Sequence, residues 1–221
     1  MKRRATGKDL PDGRLAGLML EVSIVNYGVG NLHSITRGLE RAGTRPVMVE
    51  SPEAILGAKC LLFPGVGAFG VAAKGLRSVR EKLAARLRDG VPALGVCLGM
   101  QMLSESSDEG AGLGLGLFPG RVRRLRSRRL PNIGWSKLRG TTADPLMDGV
   151  DEGSYFYFVH SYRLPSRLRG GKVLATSRHG EEFPAVVRVA NTYGVQFHPE
   201  KSSTAGARLL KNWVGVARDC V

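Results

Sequence analysis

The chain has 221 residues, 43% of them hydrophobic, a size that favours one compact domain with a full apolar core. Its 33 Lys and Arg against 19 Asp and Glu give a net charge of +14, which alone would favour an acidic partner such as nucleic acid. The densest basic run, residues 121–129, contains no aromatic residue that would stack on bases, so it is interpreted as a solvated strand and loop and nucleic-acid binding is not expected.

Cysteine content and the N-terminal segment bear on the cellular compartment. The three cysteines, Cys60, Cys97 and Cys220, form neither a disulfide framework nor a pair with metal-site spacing, which favours a reducing cytoplasm and no metal. Residues 1–18 start with basic residues but lack the apolar core of an export signal, so they are interpreted as a disordered leader before one domain over residues 19–221. No apolar run approaches the roughly 20 residues that cross a bilayer, which predicts a soluble protein.

The first half of the domain alternates strands with helices. Strands are predicted over residues 20–27, 45–49, 60–63 and 93–96. Helices are predicted over about residues 32–42, from Ser51-Pro52 onward, and over residues 72–88. Such alternation predicts right-handed crossovers and an α/β fold of flavodoxin-like type, with a mainly parallel central sheet and helices on both faces.

The second half is richer in strands. They are predicted over residues 121–125, 155–162, 173–177, 185–190 and 193–197, before a final helix over about 203–217. In parallel sheets, binding and catalytic groups gather at the carboxyl ends of the strands. Three glycine-rich or polar turns are expected at those ends, over residues 26–31, 64–67 and 95–99.

Residues 95–99, Gly-Val-Cys-Leu-Gly, have the form of a nucleophile elbow, in which a strand turns sharply into a helix. Side chains at the flanking glycines would clash with the neighbouring backbone. The helix after Cys97 would point its N-terminal dipole at the sulfur and favour the thiolate. Cys97 is therefore the candidate nucleophile, whereas Cys60 and Cys220 are assigned to the alternative class of structural cysteines.

Residues 195–200, Val-Gln-Phe-His-Pro-Glu, supply candidate partners for this cysteine. His198 would take the thiol proton and return it to the leaving amine, while Glu200 would fix the imidazole tautomer. The alternative is a strand-end histidine beside an exposed glutamate. Since the chain has only four histidines, such a coincidence is infrequent.

The cysteine elbow and the His-Pro-Glu segment together resemble the class I glutamine amidotransferase family, whose glutaminase domains carry this triad on an α/β sheet. The resemblance extends from about residue 20 to the C terminus. Within the family it is closest to glutaminase subunits that serve histidine biosynthesis, and it is carried by residues 26–32, 64–69, 95–101, 155–162 and 196–202.

This resemblance implies that Cys97 attacks the side-chain amide of glutamine, releases ammonia and is freed from the glutamyl thioester by water, with no cofactor. The amides of Leu98 and Val66 would bind the oxyanion, the latter after a peptide flip that the flanking glycines allow. The expected substrate-binding residues are Gly65, Gly67, Gln101, Glu109, Ser161 and Tyr162. An ordinary glycine turn at residues 64–67, and solvent-facing side chains at positions 101 and 109, are the alternatives.

The resemblance also implies a partner, a separate cyclase subunit with a (β/α)8 barrel that forms a heterodimer with this chain. The barrel would receive ammonia through its interior and join it to a phosphorylated ribulosyl intermediate. Docking residues are expected to be Asn31, Tyr157, Lys201 and Ser202, with Tyr157 near the ammonia gate. A strand-face packing role is the alternative for Tyr157.

Three positions depart from the family pattern. Asn26 stands where aspartate is usual, Asn132 where histidine is usual and Ser136 where asparagine is usual. None belongs to the triad, but they leave open a paralogous glutaminase that feeds another pathway, such as surface-sugar synthesis. Two further alternatives are a cysteine hydrolase that cleaves γ-glutamyl or peptide bonds without a partner, and a catalytically idle basic binding module.

Overall fold

A computed structural model describes residues 19–28 and 32–221, so the predicted leader and Asn31 lie outside the described residues. The strands are β1 (Leu20–Val25), β2 (Thr44–Val49), β3 (Leu61–Phe63), β4 (Ala93–Val96), β5 (Ser104–Ser107), β6 (Phe118–Arg124), β7 (Asn132–Lys137), β8 (Tyr155–His160), β9 (Tyr162–Arg163), β10 (Lys172–His179), β11 (Glu181–Val189) and β12 (Thr192–Val195). The α-helices are α1 (His33–Arg41), α2 (Pro52–Gly57), α3 (Phe69–Leu76), α4 (Arg80–Arg88), α5 (Leu98–Met102) and α6 (Ser203–Arg218).

The central sheet has the strand order β10-β11-β12-β4-β3-β1-β2. Neighbours from β12 to β2 pair in parallel, whereas β11 and β10 pair in antiparallel fashion. The predicted mainly parallel sheet is confirmed. Because β12, β4 and β3 are parallel neighbours, their carboxyl ends meet at one edge of the sheet.

Helices cover both faces of this sheet, as predicted. Leu62 in β3 packs with α1 and α6 on one face, where Trp213 is fully buried. Leu61 and Phe63, its neighbours in the same strand, belong to the apolar core on the other face, with the helices α2 to α5. Successive side chains of a strand point to opposite faces, so a continuous apolar run serves two cores.

Helix α2 begins as the sequence predicts. The Ser51 side chain accepts a hydrogen bond from the amide of Ala54 at 3.2 Å, and Pro52 occupies the first turn, where its missing N–H is not needed. The sequence predicts one helix over residues 72–88, and this prediction is wrong because the structure has two helices there, α3 and α4. At the break between them, the Val79 amide donates to the Leu76 carbonyl at 3.1 Å, which closes a tight turn. The Val79 side chain is buried there.

Two smaller sheets complete the second half. One has the order β5-β6-β9, and the other pairs β7 with β8 in an antiparallel ribbon, named here the β7–β8 ribbon. The strands β5 and β7 were not predicted, and the predicted strand over residues 155–162 is interrupted at Ser161. Arg121 and Arg123 are exposed on β6, which confirms the solvated strand predicted for the basic run.

The inner face of the β7–β8 ribbon packs against the end of β12. The Phe156 and Phe158 rings lie 4.1 and 5.6 Å from the Phe197 ring, measured between centroids. The His198 amide also donates to the Tyr157 carbonyl at 2.9 Å. This packing fixes the ribbon beside the strand end that carries His198. In the described part of the chain, no helix has the length and apolarity needed to cross a membrane.

Candidate active site

Cys97 lies at the apex of a sharp turn between β4 and α5. Its φ of 48° and ψ of −102° place a non-glycine residue in a strained region of backbone space. A Cβ at Gly99 would lie 1.9 Å from the Phe63 carbonyl oxygen, and one at Gly95 would lie 2.7 Å from the Met100 nitrogen. The predicted elbow is therefore present, and the two flanking glycines are required because backbone approaches them closely.

His198 and Glu200 follow β12, the strand next to β4. The Nδ1 atom of His198 lies 2.8 Å from Oε1 of Glu200, and the two side chains are 1% and 6% exposed. Burial alone would lower the pKa of His198, but the nearby Cys97 sulfur and the Glu200 carboxylate outweigh it and raise the pKa from 6.5 to about 10. His198 therefore carries a proton at neutral pH and can deliver it within the site.

The three cysteines have different surroundings. The Cys97 sulfur lies 3.7 Å from the Val159 carbonyl oxygen and 3.6 Å from Nε2 of Gln196. Cys60 is fully buried, and burial is the main reason that its pKa rises to about 12, while Cys220 is exposed. Of these thiols, Cys97 is the one placed beside a histidine and a pocket.

A cavity of about 140 Å³ opens above Cys97 and His198. It is lined by every residue predicted to bind substrate, namely Gly65, Gly67, Gln101, Glu109, Ser161 and Tyr162. Val66, Leu98, Val159 and His160 complete the lining, while Glu200 lies behind His198. A larger groove of about 780 Å³ near Met19 and Arg218 has neither cysteine nor histidine among its described lining residues, so size does not identify the site.

Hydrogen bonds hold the walls of this cavity. The Gln101 side chain is only 4% exposed, and its Nε2 donates to the Tyr162 carbonyl at 3.0 Å, so Gln101 is not the solvent-facing residue of the alternative interpretation. Glu109 accepts from the Phe69 amide at 3.0 Å through Oε2, which ties the pocket to the start of α3. The Ser161 carbonyl accepts from the Leu125 amide at 2.9 Å. The pocket backbone is thus braced from several elements.

The residues of both predicted oxyanion donors line the cavity, but the Leu98 amide already has a hydrogen-bond partner. The Leu98 amide donates to the Gly65 carbonyl at 3.5 Å. In a trans peptide the N–H points opposite to the C=O, so the Val66 amide points away from the Leu98 amide. Gly67, which follows Val66, has a φ of 132°. In this structure the Gly65 carbonyl, and not the Val66 amide, therefore faces the Leu98 amide.

The residues predicted to dock a partner have different environments. Tyr157 is half-buried on the outer face of the β7–β8 ribbon, and the ammonium of Lys201 lies 6.0 Å from its ring centroid. Ser202 is buried and only 1% exposed. Its hydroxyl accepts from the Tyr157 amide at 2.9 Å and donates to the His198 carbonyl at 2.6 Å. The Ser202 side chain thus links the Tyr157 amide to the His198 carbonyl.

The structure gives defined contacts for two of the positions that depart from the family pattern, Asn26 and Asn132. Asn26 donates to Oε1 of Glu50, a contact that an aspartate would turn into repulsion between two carboxylates. The Asn132 side chain is buried and lies 3.1 Å from Nε2 of His160. Nothing in the structure explains Ser136.

Sequence reasoning missed two residues at this site, His160 and Gln196. Both lie in segments that carry the family resemblance, but a sequence motif does not show which side chains within it point inward. His160 donates through Nδ1 to the Tyr162 carbonyl at 2.8 Å, and burial is the main reason that its pKa falls to about 4. Gln196 is fully buried and contacts both Cys97 and Gln101. The position of these two polar residues near strand ends, within the motifs, is the sequence signal that could have identified them.

Sequence similarity to known proteins extends over most of the chain. Residues 23–216 match the profile of a family described as Glutamine amidotransferase class-I. The chain is 44% identical over 207 residues to imidazole glycerol phosphate synthase subunit HisH of Halobacterium salinarum, covering 90% of this chain and 94% of the relative. The subunit of the same name from Corynebacterium glutamicum is 39% identical over 204 residues, with coverages of 87% and 97%. A crystal structure described as a glutamine amidotransferase has a TM-score of 0.71 at 22% identity, covers 89% of this chain and 98% of that chain, and supports the fold.

Proposed function

This chain belongs to the class I glutamine amidotransferases, and from that membership we propose that it is the glutaminase subunit of an imidazole glycerol phosphate synthase. It hydrolyses L-glutamine to glutamate and ammonia, which a cyclase subunit uses to form imidazole glycerol phosphate and AICAR in histidine biosynthesis. The observation that carries the proposal is Cys97 on its strained elbow beside the His198–Glu200 pair. Relatives of that name, similar over about nine-tenths of this chain, support the choice of synthase.

The triad supports hydrolysis in two steps. The Cys97 sulfur attacks the side-chain carbonyl carbon of glutamine, and the carbonyl electrons move onto oxygen. As the C–N bond breaks, His198 gives its proton to the leaving nitrogen, so ammonia departs and a glutamyl thioester remains. Water then adds to the thioester, His198 accepts its proton, and cleavage of the C–S bond returns Cys97 and releases glutamate. Glu200 holds the imidazole through Nδ1.

The lining of the cavity suits a zwitterionic amino acid. Glu109 keeps one carboxylate oxygen bound to the Phe69 amide, and its negative charge at the cavity favours the α-ammonium of glutamine. Gln101 reaches the cavity from α5, one turn after Cys97. These residues place the side-chain amide of glutamine towards the sulfur and its amino-acid end away from it.

The 64–67 turn acts as the switch of the reaction. Rotation of the Gly65–Val66 peptide would release the Leu98 amide and direct the Val66 amide to the same point, which gives the oxyanion two donors. The Tyr27 hydroxyl donates to the Pro64 carbonyl and anchors the start of the turn, while Val66 is 44% exposed. An exposed turn beside the sulfur is suited to respond to a docked partner. Glutamine hydrolysis by the free chain is therefore slow.

The outer face of the β7–β8 ribbon is the proposed docking surface for the cyclase. Ile133, Trp135 and Tyr155 are 61%, 52% and 51% exposed, an apolar exposure that favours a protein partner. Trp135 pairs with Tyr157, and Ile133 pairs with Val159, which also lines the cavity. The surface is thus continuous with the site, so a docked barrel would receive ammonia without its passage through bulk water.

The test is glutamate formation by the free chain and by the chain mixed with candidate cyclase subunits of (β/α)8 fold. Activity should rise strongly with the cognate cyclase, and the ammonia should be consumed with the phosphorylated ribulosyl substrate. Equal turnover with and without every cyclase would contradict the partner-dependent switch. Ammonia delivery to a different acceptor, such as a sugar, would instead identify the paralogous function that Asn26, Asn132 and Ser136 leave open.

The matching variant is Cys97→Ala, with Cys220→Ala as the control because Cys220 is exposed and has no neighbour in the site. The Cys97→Ala chain should bind the cyclase and release no ammonia. The Cys220→Ala chain should retain wild-type turnover. Wild-type activity in Cys97→Ala would show that the nucleophile is another residue.

A further inference from the structure

A continuous chain of hydrogen bonds runs behind the cavity from the Tyr162 carbonyl to the Cys97 sulfur. Gln101 Nε2 donates to the Tyr162 carbonyl at 3.0 Å and to Oε1 of Gln196 at 3.3 Å. Nε2 of Gln196 in turn lies 3.6 Å from the Cys97 sulfur. Gln196 is 0% exposed and Gln101 is 4% exposed, so bulk water does not compete for these bonds.

The donor-to-acceptor direction of this series of hydrogen bonds is fixed by the Tyr162 carbonyl, which is its first acceptor. A backbone carbonyl can only accept, so the Gln101 atom that faces the Tyr162 carbonyl must be the amide nitrogen. Both hydrogens of that nitrogen are used, one by Tyr162 and one by Gln196. Gln196 must then turn its carbonyl oxygen to Gln101, which leaves its own NH2 group for the sulfur.

The Tyr162 carbonyl is itself held in place by a second hydrogen bond. His160 donates through Nδ1 to the same Tyr162 carbonyl at 2.8 Å, while its Nε2 accepts from the Asn132 amide at 3.1 Å. Both contacts are made by a neutral imidazole of one tautomer. The Tyr162 carbonyl therefore keeps its orientation, and the polarity of the hydrogen-bond chain follows from it.

We propose that Gln196 is a positioning residue for glutamine hydrolysis, which provides a fixed N–H donor to the Cys97 sulfur and orients the side-chain amide of Gln101. The inference rests on the proposed function and deepens it. A donor at the sulfur stabilises the thiolate, which is the attacking species and again the leaving group when the thioester breaks. With its nitrogen committed, Gln101 offers only its carbonyl oxygen to the substrate, so the pocket selects a ligand with an N–H donor at that point.

Two substitutions separate these roles. Gln196→Met has a similar length but neither amide group, so it removes the donor to the sulfur and the acceptor for Gln101. Gln196→Glu retains an acceptor for Gln101 and removes the donor to the sulfur. Folding of each variant is checked by its unfolding transition in urea. If the buried carboxylate prevents folding of Gln196→Glu, the Met variant alone decides both roles.

The first readout is alkylation of Cys97 by iodoacetamide as a function of pH, quantified by mass spectrometry of the Cys97 peptide. The pH of half-maximal rate should rise by about one unit in Gln196→Met, because a hydrogen bond to the thiolate is lost. The exposed Cys220 in the same sample is the internal reference, and its profile should not change. An unchanged Cys97 profile in a folded variant would overturn the role at the sulfur.

The second readout separates KM from kcat for glutamine in the complex with the cyclase. Gln196→Met should raise KM by about tenfold, because Gln101 is no longer held, whereas Gln196→Glu should leave KM within about threefold. Both variants should lower kcat. Equal KM values for Gln196→Met and the wild type would overturn the orienting role. Absence of glutamine turnover in the wild type would reject the proposed function, but the alkylation shift would remain, so the two failures are distinguishable.

Discussion

Two buried histidines line the same cavity, and at neutral pH one is protonated whereas the other is neutral. His198 is 1% exposed, and its pKa rises to about 10 because the Cys97 sulfur and the Glu200 carboxylate outweigh burial. His160 is 6% exposed, and its pKa falls to about 4, chiefly through burial, because its partners are a backbone carbonyl and the Asn132 amide. Burial disfavours the charged form at both positions, so the neighbouring groups decide the outcome.

The difference assigns the two residues to different tasks. His198 holds a proton at neutral pH and can exchange it with substrate through the ring nitrogen that does not face Glu200. His160 remains neutral and uses both ring nitrogens for internal hydrogen bonds. These environments support the proposed proton transfer by His198, whereas His160 holds the wall of the pocket.

The largest expected effect separates the two histidines by activity. His198→Asn should reduce kcat for glutamine by at least about a thousandfold, because no group remains to protonate the leaving nitrogen. His160→Asn keeps an amide donor near the Tyr162 carbonyl and should reduce kcat by about tenfold or less. Glutamate release at saturating cyclase measures both. Similar losses in the two variants would remove the distinction between them.

A smaller loss is expected when the carboxylate beside His198 is neutralised. Glu200→Gln should lower kcat on the order of a hundredfold, because the charge that helps to hold the proton on His198 is lost. Glu182→Gln, at an exposed glutamate outside the cavity, is the matched control and should be unaffected. The pH dependence of kcat should change in Glu200→Gln and should stay as in the wild type in Glu182→Gln. Normal activity in that variant would contradict its place in the triad.

The alkaline side of the stability profile should depend on His198. Its folded pKa of about 10 lies above the usual 6.5, so its contribution to the free energy of unfolding is complete below pH 6.5 and is lost as the pH rises towards 10. The difference between the wild type and His198→Gln should therefore decrease by a few kcal/mol across this range. Urea unfolding at a series of pH values measures it, and a constant difference would argue against a raised pKa.

His160 should change the free energy of unfolding at acidic pH, where its contribution is lost as the pH falls rather than as it rises. Its folded pKa of about 4 lies below the usual 6.5, so its contribution is complete above pH 6.5 and is lost as the pH falls through 4. Relative to His160→Asn, the wild type should lose about 3 kcal/mol of unfolding free energy between these limits. The same urea series provides the measurement. A gain of relative stability on acidification would reverse the assignment.

The elbow and the parallel sheet were predictable because both follow from local sequence. Glycines on either side of Cys97 indicate a turn with close backbone approach, and apolar runs such as residues 60–63 indicate strands buried on both faces. Other elements depend on distant partners. The strand β5 reads Ser-Glu-Ser-Ser, without apolar alternation, and it forms through pairing with β6.

The finer geometry of the site was not predictable for the same reason. Gln101 and Gln196 are 95 positions apart in sequence, and their contact arises only when α5 and the end of β12 meet. The orientation of the Gly65–Val66 peptide likewise depends on the assembled fold, because the Gly65 carbonyl accepts from the Leu98 amide of α5. The residues of the proposed triad lie in short motifs, whereas the hydrogen bonds that support them depend on the assembled fold.

The most direct test of Cys97 as the nucleophile is mass spectrometry of the chain–cyclase complex, quenched in acid during turnover of glutamine. The expected result is a glutamyl group on the peptide that contains Cys97, absent from the Cys97→Ala protein and from the peptides of Cys60 and Cys220. Glutamate production by a complex whose Cys97 never carries that group, or a glutamyl group on another cysteine, would contradict the assignment.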